Sequence, residues 1–232
     1  MKTIGLLGGM SWESTVSYYQ IINRAVGERL GGFHSAKILL HSVDFAEIER
    51  LQHADRWAEA GSLLAEAAMA LEGAGADFLV ICTNTMHRVA PEIEARVHVP
   101  LLHIADPTAE AIRAAGISTV GLLGTSFTME QDFYRGRLQR KFGLTVHVPE
   151  PASRDLIHQV IYQELCRGVI SEPSRTSLQH VVAGLVGMGA EAVILGCTEI
   201  GLLLRAEDVS IPLFDTTLLH AEAAASFALA GH

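Results

Sequence analysis

The fold is decided by two stretches that look like copies of one another: GAGADFLVICTNTMH at residues 73–87 and GMGAEAVILGCTEIG at residues 187–201. The identical positions are Gly73, Gly75 and Ala76 in the first stretch and Gly187, Gly189 and Ala190 in the second. In both, a glycine-rich turn leads into a short apolar run that ends at small polar residues. Such runs are typical of buried strands that end in a functional loop.

Two further pairs of segments repeat in the same order. KTIGLLGG at 2–9 resembles STVGLLGT at 118–125, and VPLLHIADPTAEA at 99–111 resembles IPLFDTTLLHAEA at 211–223. Because α/β proteins often place a glycine turn beside an apolar strand, each match alone is weak. Three matches in one order indicate an internal duplication.

The repeat predicts an α/β fold of two lobes, each a parallel sheet flanked by helices. Strands rich in Val, Ile and Leu alternate with alanine-rich helical stretches such as residues 56–76, which is typical of βαβ units. We expect lobes at 1–115 and 116–232, with the terminal segment 211–232 free to pack on the first lobe. In such sheets the ligand lies beyond the carboxyl ends of the strands.

Composition excludes several classes of protein. Apolar residues make up 49% and charged residues 19% of the chain, which is typical of a globular domain. No apolar run approaches the roughly 20 residues of a membrane span, and we interpret the N-terminus as a first strand. A net charge of -9 without a Lys/Arg cluster argues against nucleic-acid binding. Three cysteines without a CxxC spacing predict reduced thiols in a cytoplasmic protein, without a metal site.

Four loops that follow the predicted strands are rich in small hydroxyl residues. Their backbone N–H groups and hydroxyls could bind a carboxylate, although ordinary helix capping explains the same residue types. Neither a GxGxxG nor a Walker pattern is present, so the sequence does not indicate a nucleotide site. The loops lie at residues 8–11, 83–85, 124–128 and 196–199.

Cys197 is the sharpest chemical signal. It follows a predicted strand and begins a predicted helix, a setting expected to lower the pKa of a thiol and make it a candidate base. Cys166, inside a helical stretch, is interpreted as packing. Gapless alignment of the two copies places Thr83 opposite Cys197 and leaves Cys82, the second candidate thiol, opposite Gly196. Because side chains alternate along a strand, Cys82 and Thr83 cannot both face a ligand.

These residues resemble the aspartate/glutamate racemase superfamily over nearly the whole chain. The resemblance is carried by NTMH at 84–87 and GCTE at 196–199, and GLLGGMSWES at 5–14 is similar to the aspartate racemase branch. It implies a cofactor-independent enzyme of two pseudo-symmetric α/β lobes, usually a homodimer, with the active site in the cleft between the lobes. It also implies one catalytic cysteine per lobe, and here Thr83 stands where the first would be.

The resulting hypothesis is an isomerase that inverts Cα of aspartate, glutamate or a related amino acid without pyridoxal phosphate. Cys197 removes the α-proton, and Thr83 or a water held by it returns a proton to the other face. In the superfamily the cysteine of the second half generally acts on the L enantiomer, and a hydroxyl is a far weaker acid than a thiol. The resemblance therefore implies that turnover favours the L enantiomer. The expected substrate-binding residues are Met10, Gln52, Asn84, Thr85, Thr125, Thr128, Thr198 and Glu199.

Three alternatives stay open at the sequence level. A hydantoin racemase or a maleate isomerase of the same superfamily would keep the fold and one cysteine. A two-lobed protein that binds a carboxylate without chemistry would keep the hydroxyl-rich loops. A cysteine hydrolase would need a histidine base paired with the thiol, and no motif singles one out.

Overall fold

Two four-stranded parallel sheets carry the two copies of the repeat in the computed structural model, which describes residues 1–230. In the first sheet the strand order is β2-β1-β3-β4, and in the second it is β6-β5-β7-β8. The strands of the first sheet are β1 Ile4–Gly8, β2 Ile38–Ser42, β3 Phe78–Ile81 and β4 Leu101–Leu102. Those of the second are β5 Thr119–Gly124, β6 Thr145–His147, β7 Ala192–Gly196 and β8 Leu213–Asp215. The equivalent strand orders confirm the predicted α/β fold with two similar halves.

Helices follow the strands in both halves. The helices are α1 Trp12–Leu30, α2 Phe45–His53, α3 Trp57–Gly73, α4 Ala90–Glu94, α5 Ala105–Ala114, α6 Ser126–Glu130, α7 Asp132–Phe142, α8 Pro151–Gln163, α9 Glu172–Gly187, α10 Ile200–Leu203 and α11 Thr216–Leu229. Short 3₁₀ helices lie at Thr85–Val89, Leu165–Arg167 and Ala206–Asp208. No helix within residues 1–230 is both long and apolar enough to cross a membrane.

The glycine turn of the repeat has the same geometry in both copies. After α3, the N–H of Gly75 donates to the carbonyl of Glu72 and the N–H of Ala76 to that of Leu71. After α9, Gly189 donates to Val186 and Ala190 to Leu185. This pair of bonds is the Schellman motif, which needs a left-handed residue, and φ is +98° at Gly75 and +93° at Gly189. The sequence identity of the two stretches therefore reflects one helix ending used twice.

The chain divides into two units whose boundaries differ from the expected 115/116 division. The first unit comprises residues 1–104 together with residues 220–230, and the second comprises residues 105–219. Helix α5 therefore belongs to the second unit, and the part of α11 from His220 onward belongs to the first. Of the predicted second lobe, Gly231 and His232 lie outside the described residues.

Side-chain packing explains the membership of α11 in the first unit. One face of the first sheet presents Ile4, Leu6, Phe78 and Val80, and α1 packs on it through Tyr18, Ile22 and Val26. Small side chains of α11 join the same buried cluster, and their size allows close approach of this helix. They are Ala221, Ala224, Ala225 and Ala228.

In the second unit, α5 is held to α7 by charge. Asp106 accepts two hydrogen bonds from Arg137, at 2.5 and 2.7 Å, and one from Lys141 at 2.7 Å. The Asp106 carboxyl is mostly buried, and burial alone would raise its pKa. The hydrogen bonds from Arg137 and Lys141 outweigh burial and hold the pKa below its ordinary value. An ion pair of this kind is costly to leave half-made and so helps to fix the position of α5.

Candidate active site

The loop after β7 contains the candidate base, Cys197. The thiol is 8% exposed, and its Sγ lies 3.0 Å from Oε2 of Glu199, to which it donates. The same carboxyl oxygen accepts a hydrogen bond of 2.5 Å from Oγ1 of Thr198. Cys197, Thr198 and Glu199 therefore form one hydrogen-bonded group directly beyond the carboxyl end of the strand.

Contrary to the sequence-based expectation, the pKa of the Cys197 thiol is raised well above its usual value. Burial is the largest cause, and the neighbouring Glu199 carboxylate adds to it by disfavouring a second negative charge. The predicted helix effect is small because α10, which follows, has only four residues and begins at Ile200. The sulfur is thus protonated at neutral pH in the free protein.

Glycines allow β5 and β7 to approach closely at their carboxyl ends, immediately before Cys197. Gly124 of β5 and Gly196 of β7 are register partners at the last paired position of their strands. A Cβ on Gly196 would come within 2.7 Å of the carbonyl oxygen of Leu123, and one on Gly124 within 2.8 Å of that of Gly196. Only glycine fits at either position.

In the first unit, the position equivalent to Gly196 is occupied by Cys82. Its side chain is fully buried in the cluster that contains Val80 and Phe78, two and four residues earlier on the same strand face. Burial raises the pKa of this thiol far above the ordinary value. Cys82 therefore acts as a small hydrophobic side chain, whereas the half-buried Thr83 lies beyond the strand end, as Cys197 does beyond β7.

The other predicted residues of the first unit lie in the loops after β1 and β3 and on α2. Met10, Gln52, Asn84 and Thr85 are all buried. The loop after β1 and the loop after β3 are adjacent because Leu7 pairs with Ile81. Sequence reasoning missed Ser14, whose hydroxyl donates to the carbonyl of Cys82 at 2.9 Å and ties α1 to the end of β3.

Gln52 reaches this region from α2. Its Nε2 lies 2.9 Å from Sδ of Met86, in the 3₁₀ helix that follows Thr83 and Asn84. Arg50, a charged residue two positions earlier on α2, is exposed. Of these two residues, Gln52 therefore lies beside the 3₁₀ helix after β3, and Arg50 lies at the surface.

Two of the hydroxyl-rich loops act at least partly as helix caps, the ordinary alternative considered above. Ser11 accepts a hydrogen bond from the N–H of Ser14 at the start of α1, and Thr125 accepts one from the N–H of Thr128 at the start of α6. Each cap contributes about 1 kcal/mol. The N–H of Gly9 is bonded to Oγ1 of Thr15, and that of Ser126 to Nδ1 of His158. Because the N–H groups of Gly9 and Ser126 are already bonded within the protein, the structure does not support their predicted binding of a carboxylate.

Thr125 and Thr128 lie in the second unit, where Thr128 is beside Gly196 at the end of β7. Their hydroxyls are 3.2 Å apart and buried, and Cγ2 of Thr128 faces Gly196. His158, which sequence reasoning missed, supports this loop from α8, since its Nδ1 lies 3.1 Å from the Ser126 hydroxyl. Nothing in the sequence pattern of α8 indicates this contact.

The part of the chain that the structure describes offers no obvious set of metal ligands. Among residues 1–230, no group of three or more His, Cys, Asp or Glu side chains is arranged to hold a metal ion. The ring of the buried His87 is in contact with the rings of His103 and His220.

The fold, two four-stranded parallel sheets flanked by helices, matches that of Asp/Glu racemase structures. The sequence matches the family model described as Asp/Glu/Hydantoin racemase over residues 7–224. The chain therefore belongs to the Asp/Glu/hydantoin racemase family. Racemases are isomerases, and family membership supports that class of activity.

Individual relatives agree with this assignment. The chain is 27% identical over 171 residues to the broad specificity amino-acid racemase RacX of Bacillus subtilis, an alignment that covers 71% of this chain and 70% of that protein. A Yersinia pestis protein whose crystal structure was assigned as an Asp/Glu racemase is 55% identical, with a TM-score of 0.92 over 99% of this chain and 100% of the other. An aspartate racemase homologue from Pyrococcus horikoshii OT3 is 33% identical, with a TM-score of 0.84 over 98% and 99%.

Proposed function

We propose that this protein is a cofactor-independent amino acid racemase that inverts Cα of aspartate, glutamate or a related amino acid. The observation that carries the proposal is the Cys197 thiol bonded to the Glu199 carboxylate beyond β7, in a chain of the racemase family. The names of the relatives support an amino acid substrate, since one is a broad specificity amino-acid racemase and another an aspartate racemase homologue.

The first step is removal of the α-proton by Cys197. The thiol must first lose its own proton, and Glu199 is placed to accept it. The positive ammonium group of an incoming amino acid favours the thiolate by electrostatic attraction and offsets the effect of burial. The thiolate then takes the α-proton, and the electron pair of the C–H bond stays on the substrate as a carbanion. A positioned base typically contributes 10²–10⁴-fold to such a step.

The second step returns a proton to the opposite face of Cα. We assign it to the Thr83 hydroxyl or to a water held by it, because Thr83 occupies the position equivalent to Cys197 in the other copy of the repeat. Hydrogen-bond donors that stabilise the carbanion through its carboxylate would be Asn84, Thr85 and the backbone N–H of Thr198, because the Thr198 hydroxyl is bonded to Glu199. Solvent then restores the protons on the protein.

Gln52 would recognise the substrate side chain from α2, with Met10, Thr125 and Thr128 as further contacts. The thioether of Met86 is a weak acceptor for the Gln52 amide, so an oxygen of the substrate could replace it with a gain in bond strength. An amide is neutral, which leaves room for neutral polar amino acids besides aspartate and glutamate.

We further propose that the L enantiomer is the better substrate. The superfamily resemblance assigns the cysteine of the second half to the L enantiomer, and Thr83 is a poor base for the reverse direction because its hydroxyl is almost never ionised. Initial rates measured from L- and D-aspartate should therefore differ strongly. Comparable rates in both directions would contradict the proposed role of Thr83.

A proton-exchange assay in D₂O tests the function as a whole. The protein is incubated with a panel of L- and D-amino acids, with a hydantoin and with maleate, and deuterium at Cα and product chirality are followed by NMR and chiral chromatography. We expect exchange and inversion with at least one acidic amino acid, and none with Cys197→Ala. Exchange confined to the hydantoin, or conversion of maleate to fumarate, would indicate the other superfamily activities. Binding without exchange would indicate a carboxylate-binding protein.

A further inference from the structure

His87, the last residue of the NTMH motif, is bonded to the backbone of Thr83. Its ring is 1% exposed, and its Nδ1 lies 2.8 Å from the carbonyl oxygen of Thr83. Its other nitrogen, Nε2, lies 3.2 Å from the backbone N–H of Ile104, which can only donate. Nε2 is therefore the acceptor and Nδ1 carries the proton that is donated to Thr83.

This arrangement requires a neutral ring, because a protonated Nε2 could not accept from Ile104. Burial lowers the pKa of His87 well below its ordinary value, and the neighbouring His103 and His220 lower it further. The ring thus stays neutral at physiological pH, and one tautomer is selected by the two backbone bonds.

The two bonds of His87 connect the ends of two neighbouring strands. The regular pairing of β3 with β1 ends at Ile81, and the pairing of β3 with β4 ends at Leu102. Thr83 and Ile104 each lie two residues beyond these points. His87 therefore holds the Thr83 loop where the sheet no longer does.

We propose that His87 is a positioning residue, which fixes the Thr83 carbonyl and thereby the direction in which the Thr83 side chain can deliver a proton. This inference rests on the proposed function and adds a residue to it. It gives the histidine of the motif a role in proton return and none in removal of the α-proton by Cys197.

His220 provides a matched control in the same buried group. Its ring centroid lies 5.7 Å from that of His87. Its nitrogens are bonded elsewhere, Nδ1 to the Tyr18 hydroxyl and Nε2 to the carbonyl of Leu102, both at 2.8 Å. A substitution at His220 disturbs the same core without removing a bond to Thr83.

Two substitutions separate the bonds of His87. In His87→Asn the amide nitrogen can take the place of Nδ1 and still donate to Thr83, whereas in His87→Gln the amide reaches the place of Nε2 and the bond to Thr83 is lost. Two quantities are measured with the best substrate in D₂O: deuterium in the recovered starting enantiomer, which needs Cys197 alone, and formation of the opposite enantiomer, which also needs proton return.

We expect His87→Gln to lower the ratio of inversion to exchange by about tenfold to a hundredfold, the range expected for a displaced catalytic group. His87→Asn should stay within about threefold of the wild type, and His220→Gln should leave the ratio unchanged. An unchanged ratio in His87→Gln overturns the inference alone, as does an equal fall in all three variants. Absence of exchange in the wild type overturns the proposed function and this inference with it.

The tautomer of His87 can be measured in the wild-type protein, which tests the inference even if a variant does not fold. Long-range ¹H–¹⁵N NMR distinguishes the two neutral tautomers of each histidine. We expect the Nδ1-protonated form for His87 and, from its bonds, the Nε2-protonated form for His220. An Nε2-protonated His87 would show that the bond to Thr83 is not made.

Discussion

At the scale of single residues, the two cysteines of the repeat have opposite surroundings. Cys82 lies in an apolar core, whereas Cys197 donates to a carboxylate. We expect Cys82→Ala to retain proton exchange and to lose about 1 kcal/mol of stability, because a small buried group is removed. Cys197→Ala should lose exchange, with a loss of stability of about the same size, because this side chain is buried as well. Exchange rates and urea unfolding measure both effects, with Cys166→Ala as the control thiol variant. Loss of all exchange in Cys82→Ala would show that the assignment of the two thiols is wrong.

Glu199 has two effects on Cys197 that can be measured separately. Its negative charge opposes formation of the thiolate, yet its oxygen is the acceptor for the thiol proton. In Glu199→Gln we therefore expect the pKa of Cys197 to fall, though not below its ordinary value, because burial is the larger cause of the raised pKa. Turnover should fall by about 10²-fold because the proton acceptor is lost.

The rate of alkylation by iodoacetamide as a function of pH reports the thiol pKa in that experiment. Cys82→Ala/Cys166→Ala is the background, so that only Cys197 reacts. An alkylation profile that does not change in Glu199→Gln would mean that the carboxylate has no influence on the sulfur. Faster turnover in the variant would contradict its role as the proton acceptor.

At the scale of secondary-structure elements, the Asp106 group joins α5 to α7 and should make stability depend on pH. The folded-state pKa of Asp106 lies below its ordinary value of 3.8. The unfolded chain therefore binds a proton first as the pH falls, so the contribution of Asp106 is complete above about pH 5 and is lost as the pH falls through the folded-state pKa.

We expect Asp106→Asn to cost about 1 kcal/mol at pH 7, a figure reduced for partial solvent screening of Arg137 and Lys141. Below pH 4 the difference from the wild type should shrink. Urea unfolding between pH 3 and pH 7 measures it, with Asp132→Asn as a control, because the Asp132–Arg140 pair is exposed. A difference that grows at low pH would contradict the direction of the pKa shift.

The sequence was a good guide to elements where a local rule applies. Gly75 and Gly189 end their helices through hydrogen bonds that depend only on nearby residues, so the duplicated turn could be predicted from the sequence alone. Period-2 alternation from Phe78 likewise places Cys82 on the core face. The thiol pKa could not be read in this way. It depends on burial and on the direction of the Glu199 side chain, and both are set by tertiary packing.

The contacts of His87 and His158 show the same limit. Each reaches a backbone group whose position is fixed by other strands or helices, so neither hydrogen bond follows from spacing. The unit boundaries differ from the boundaries of the repeat for a related reason. The repeat marks where two similar sequences begin, whereas the units depend on which core each helix covers.

At the scale of the whole molecule, the first unit is discontinuous in sequence, which makes a prediction about fragments. Residues 1–115 alone lack the alanines of α11 that cover Tyr18 and Ile22. We expect this fragment to be unfolded or aggregated because an apolar face of the sheet is uncovered. A circular permutant that joins residues 220–230 to the N-terminus of residues 1–104 should restore cooperative unfolding by circular dichroism. Equal folding of both fragments would contradict the described division.

The two units are alike in fold but unequal in chemistry, since equivalent loops carry a threonine at 83 and a cysteine at 197. If this inequality sets the preferred direction, making the two loops alike should reduce it. We expect Thr83→Cys to raise the initial rate from the D enantiomer by at least about tenfold, because a thiol ionises far more readily than a hydroxyl. The rate from the L enantiomer should change less.

Thr83→Ser, which keeps the hydroxyl, is the control and should retain the wild-type preference. Because equilibrium between enantiomers in water is 1:1, the preference must be measured as initial rates with each enantiomer. An unchanged ratio of rates in Thr83→Cys would show that the direction of turnover is set elsewhere than at residue 83.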